Sequence, residues 1–115
     1  MKFESLDVWK RAVGLSAEMY KQSSVVKDYG FKDQITRSAL SIPSNIAEGY
    51  ERESVKETIN FLNYAKASCG ELRTQLLIGQ MVEFLPGDFT NWAISETKEL
   101  SAIISALIKK RKSTL

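Results

Sequence analysis

Apolar residues in this chain recur three and four positions apart almost from end to end, and no stretch alternates apolar and polar residues long enough to make a strand. That period commits the backbone to amphipathic helices, which can bury their apolar stripes only against one another. Three short segments interrupt it: Val25 to Gly30, Tyr50 to Glu53, and Leu85-Pro-Gly-Asp88, each carrying turn residues or charge. Helices are therefore expected over about 6–24, 31–49, 54–82 and 88–112. Ser5 is the expected N-cap of the first, with Asp7 in its opening turn. Gly49 is the expected stop of the second. Ser54 followed by Glu57 forms a capping box for the third, and Asp88 caps the fourth.

The inward sets follow from the same spacing. The first helix offers Leu6, Trp9, Val13, Ser16 and Tyr20, broadened by Val8, Ala12, Leu15 and Met19. The second offers Phe31, Ile35, Ser38 or Ala39, Ile42 and Ile46. Leu62, Ala65, Cys69, Leu72 and Leu76 line the third, and Trp92, Leu100, Ile103, Ile104, Leu107 and Ile108 the fourth. Four such helices joined by short loops predict an all-α fold, an antiparallel up-and-down four-helix bundle. The 115 residues suffice for one domain, 1–115, with one core.

Several function classes lose their chemistry at once. The chain has no histidine, so the commonest general base and transition-metal ligand is missing. The single cysteine, Cys69, sits in an apolar stripe and reads as a buried thiol in a reducing, cytoplasmic protein. No glycine-rich phosphate loop occurs. A carboxylate metal site built on Glu48, Glu57 and Glu71 lacks the Glu-x-x-His pattern such bundle sites use. No catalytic, metal-binding or cofactor-binding residue is expected, and the chain reads as no enzyme. The opening residues carry acids and no apolar stretch, unlike a signal peptide, and no run is long enough to span a membrane.

The stretch from Arg37 to Gly49 departs from simple core filling. Pro43 lies inside a helical pattern and should kink the helix or restart it. Ser41, Ser44 and Asn45 surround it; the expectation is that they satisfy the backbone groups the proline frees. As nucleophiles the serines have no accompanying base. If the second and third helices form an antiparallel hairpin, Glu48 faces Glu57, Asn45 faces Asn60, Ser41 faces Tyr64, and Arg37 lies near Ser68 and Glu71. A half-buried Arg37–Glu71 pair that fixes helix register is the specific expectation.

Charge is unevenly spread. Residues 48–99 hold nine acids and five bases, whereas Lys109, Lys110, Arg111 and Lys112 form an acid-free run. The run suits the negative end of a helix dipole. Repeated around an oligomer it also suits binding of RNA or a nucleic-acid-associated protein, with Lys10 and Arg11 as further contacts. The apolar faces are wider than one core needs: Phe61, Tyr64, Ile78 and Ile94 fall off the main stripes, which favours self-association. The rival reading is a purely structural or protein-partner-binding bundle with no nucleic-acid role.

Phe3 to Trp9 with Ala12, Gln34 to Gly49 with its string Ser41-Ile-Pro-Ser-Asn-Ile-Ala-Glu-Gly49, Arg52, Phe61 to Leu72, and Gln75-Leu76 together resemble the bacterial 23S ribosomal RNA intervening-sequence protein family. The resemblance runs through nearly the whole chain. It implies a four-helix protomer that assembles as a homopentamer around a central channel. It also implies kinship with the accessory protein of diversity-generating retroelements, a basic pentamer that binds a reverse transcriptase and nucleic acid. It brings no catalytic residues.

Overall fold

In the computed structural model, which describes residues 2–115, a 3₁₀ turn at Phe3–Ser5 leads into α1 (Asp7–Ser23), α2 (Tyr29–Glu51), α3 (Val55–Met81) and α4 (Gly87–Lys112). No strand occurs among the described residues. Each helix packs on the next, and a lighter α1–α4 contact closes the bundle, which measures 46 × 21 × 19 Å.

The helix ends explain where the sequence reading shifts. Ser5 does not cap α1: its hydroxyl donates to the Lys2 carbonyl (2.8 Å) inside the 3₁₀ turn, and Leu6 takes the N-cap position without a side-chain bond. The Phe3 ring instead meets Trp9 edge-on at 5.4 Å and holds the turn against α1. α2 begins earlier than expected because Asp28 accepts the Phe31 N–H (2.9 Å), which draws Tyr29 and Gly30 into the first turn. Ser54 does cap α3, accepting from the Glu57 N–H at 3.4 Å. Pro86, rather than Asp88, stands at the α4 N-cap; the Asp88 carboxylate accepts the Phe89 N–H from within the first turn.

Two features of α2 refine the sequence reading. Pro43 does not restart the helix, which runs unbroken through it with the ring buried. The missing N–H would have served the Ala39 carbonyl. The neighbouring side chains bond elsewhere: Ser41 donates to the Ser38 carbonyl and Asn45 to the Ser41 carbonyl, both at 2.8 Å. Gly49 does not end the helix, which continues to Glu51. It is buried where α2 meets α3; a Cβ there would stand 3.1 Å from the Phe61 Cβ and 3.2 Å from the Thr58 carbonyl oxygen. The Thr58 hydroxyl donates to the Gly49 carbonyl at 2.8 Å, so the glycine permits a close helix crossing.

The core is one cluster. Ile35, Ala39, Ile42 and Ile46 of α2 and Leu62, Ala65, Cys69, Leu72 and Leu76 of α3 are fully buried, with Leu100 and Ile104 of α4. On α1 the buried stripe is Val8, Ala12, Leu15, Ser16 and Met19, while Val13 and Tyr20 face solvent. The stripe is rotated from the expected one because α1 packs chiefly on α2 and only lightly on α4. Trp92 is also largely exposed, and Ile94 packs partly against the core.

Candidate functional site

The last two turns of α4 carry Lys109, Lys110, Arg111 and Lys112 along one end of the bundle. The three lysines are exposed, and among the described residues no carboxylate lies within 4.0 Å of any of them. Arg111 is half-buried and lies over the Tyr50 ring, its guanidinium carbon 5.0 Å from the centroid. That contact orients the side chain along a groove bordered by Leu6, Leu107 and Lys110. On the opposite flank of α4, Lys109 and Lys112 face Asn63 and Lys66 of α3 across a cleft of about 280 Å³.

Arg11 is tied to a different stretch of α4. Arg11 reaches α4 at Glu96 and Glu99, ten or more positions before Lys109, about 15 Å of helical rise. Its hydrogen bonds to Glu96 and then to Glu99 hold the guanidinium pKa above its already high ordinary value. Lys10 is exposed on the same helix.

The proline segment is a packing element with polar local bonds. Arg37 does not pair with Glu71. It is 76% exposed, and its Nε donates to Asp33 one turn back (3.0 Å). Glu71 instead accepts from the Ser38 hydroxyl at 2.6 Å. Ser68 donates to the Tyr64 carbonyl and makes no cross-helix bond of the expected kind. Ser44 is exposed and Ser41 half-buried. Glu48 and Glu57 do come near one another, but Arg52 lies between them, 2.6 Å from Glu48 and 3.8 Å from Glu57. Arg52 also covers the Phe61 ring at 4.9 Å. With Glu71 held elsewhere, the three carboxylates do not converge, and no group of three metal-ligating side chains forms among the described residues.

Cys69 is fully buried, and burial pushes its thiol up to about 11, against a smaller opposing pull from Arg73. A thiol in that state is a packing group, since the thiolate is the reactive form.

Sequence reasoning missed Asn63, Lys66 and Ser105 at the basic end, as well as Tyr50 as the partner of Arg111. Lys66 is isolated in the sequence; only the α3–α4 register brings it beside Lys109 and Lys112. Asn63 and Lys66 lie one turn apart, the only local hint that they share a face.

The sequence matches the family described as 23S rRNA-intervening sequence protein over residues 4–106. None of the curated proteins compared with the chain matches it. Among solved structures, the fold is similar to a protein of unknown function from the S23 ribosomal protein family of Bacteroides thetaiotaomicron. The TM-score is 0.81 at 22% identity, over 89% of this chain and 98% of that one.

Proposed function

The chain belongs to the 23S rRNA-intervening sequence protein family, and from that premise we propose that it is a non-enzymatic, self-associating module that binds RNA through the end of α4. The observation that carries this reading is the state of Lys109, Lys110 and Lys112: exposed, adjacent and without carboxylate partners. Charge in that state attracts phosphate groups by releasing condensed counterions. Arg11, Arg37 and Arg52, by contrast, already have carboxylates. The half-buried Arg111–Tyr50 pair adds a planar group of the kind that stacks on bases.

Self-association as a homopentamer is the assembly this reading adopts from the family resemblance. Its physical support lies in the other half of the molecule. Leu77, Ile78, Met81 and Val82 of the α3 C-terminal region are exposed, with Met81 81% so, and Val25 and Tyr29 are exposed as well. Apolar area of that extent is expected to be covered by another chain. A cytoplasmic setting belongs to the same proposal; among the described residues no helix is long and apolar enough to cross a membrane.

A gel-shift titration with structured ribosomal RNA fragments at low and moderate salt tests the RNA reading. Binding that weakens with salt is expected, and no binding at low salt overturns it. Molar mass in solution tests the assembly: a clean monomer at micromolar concentration overturns it. The same exposed apolar residues favour a second reading, a bundle that binds a protein partner alone; a specific partner that survives nuclease treatment, together with no RNA shift, is its signature.

A further inference from the structure

The cleft between α3 and α4 is lined chiefly by lysines and neutral polar side chains. Lys66 comes from α3, and Lys109 and Lys112 from successive turns of α4, so three lysines line one space of about 280 Å³. Asn63 and Ser105 supply a carboxamide and a hydroxyl beside them, and Ile108, nearly buried, contributes the apolar part of the lining. No carboxylate lines the cleft. None of the three lysines has an ion-pair partner among the described residues, so their mutual repulsion is left uncompensated within the chain. Lysines act on phosphate as point charges, while neutral donors such as Asn and Ser add direction. Both kinds of group are present on both helices.

We infer that this cleft is a phosphate-binding subsite, with Lys66, Lys109 and Lys112 providing charge and Asn63 and Ser105 providing oriented hydrogen bonds. The inference rests on the RNA reading for the phosphodiester as its source; inorganic pyrophosphate is the alternative source of the same chemistry. It places α3 in the contact surface, which the basic run of α4 alone does not.

The test uses the full chain, wild type and with Lys66→Gln, Ser105→Ala or Lys98→Gln, the last being an exposed α4 lysine outside the cleft. Each is titrated with a structured ribosomal RNA fragment over a salt series, and with inorganic pyrophosphate by calorimetry. Lys66→Gln is expected to lower the slope of log affinity against log salt by about one, and Lys98→Gln to leave it unchanged. Ser105→Ala is expected to weaken binding at every salt concentration with the slope preserved. If RNA binds but Lys66→Gln behaves like Lys98→Gln and pyrophosphate binding is equally indifferent, the subsite is overturned and the broader RNA reading stands. If RNA fails to bind while pyrophosphate binds and Lys66→Gln abolishes it, the subsite stands and the RNA reading falls. Failure of both ligands overturns both.

Discussion

Arg11 of α1 grips Glu96 of α4 in two-point fashion, its Nε 3.1 Å from Oε2 and its Nη2 2.6 Å from Oε1, while the same Nη2 reaches Glu99 at 3.0 Å. The pair joins α1 and α4, the most lightly packed of the adjoining helix pairs. Glu96 is mostly shielded, at 12% side-chain exposure, whereas Arg11 retains 36%. That geometry lifts the pair above an ordinary surface ion pair, though solvent still screens the arginine. A double-mutant cycle with Arg11→Met and Glu96→Gln is expected to give a coupling of about 1 kcal/mol in urea unfolding, reduced in high salt. Arg11→Lys should recover only part of it, because an ammonium cannot reproduce the fork. Additive single effects would show that the contact does not stabilise the closure of the bundle.

Gly49 and Gly14 make opposite predictions for the same change. A methyl group at Gly49 meets Phe61 Cβ at 3.1 Å and the Thr58 backbone oxygen at 3.2 Å, and backbone cannot rotate aside. Gly49→Ala should push α2 from α3 and destabilise by about 1–3 kcal/mol. At Gly14 an added Cβ finds nothing within 4 Å, on an exposed helical position. Gly14→Ala should stabilise by roughly 0.5–1 kcal/mol through helix propensity alone. Thermal melts at one protein concentration check both, since self-association makes Tm concentration-dependent.

The contrast between those glycines marks how far the sequence could be read. Periodicity exposed the four helices and the inward sets of α2 and α3, because each depends on spacing within one segment. Ser54 was legible as a cap for the same reason. Gly49 was not, since a glycine near the end of a helix signals a stop unless the facing helix is known. The expected Arg37–Glu71 pair failed by one residue: Ser38, about 100° around α2, is the group that meets Glu71. The carboxylate was placed at the correct crossing, but a hairpin rule that pairs positions by number does not say which side chain points across. At the basic end, the run of α4 was legible and the contribution of α3 was not, because Lys66 joins it only through tertiary register.

Glu83 holds a left-handed backbone, with φ of 60°, just beyond α3. Phe84 N–H bonds the Gly79 carbonyl (2.8 Å) and Glu83 N–H the Gln80 carbonyl (3.2 Å), the paired bonds of a Schellman ending. A residue with a Cβ is disfavoured in that conformation, and glycine is not. Glu83→Gly is expected to stabilise by about 0.5–1 kcal/mol, the steric relief outweighing the greater chain entropy of glycine. A lower Tm, at fixed concentration, would show that the Glu83 side chain contributes more than its backbone conformation costs.

Cys69 ties burial to alkaline stability. Its thiol is pushed up to about 11 from its ordinary value, chiefly by desolvation. The folded state therefore holds the proton more tightly than the unfolded chain does. Stability from this group is fully present below about pH 9 and is lost as pH rises through the folded value near 11. Other groups titrate in that range, so the comparison is with Cys69→Ala, which removes the thiol at the cost of a small cavity. The urea midpoint of the wild type should fall more steeply than that of the variant between pH 9 and 11. At neutral pH the native thiol should react with a disulfide reagent only as fast as the bundle opens, and rapidly in urea. Rapid modification of the native protein would place Cys69 outside the core that α2, α3 and α4 build around it.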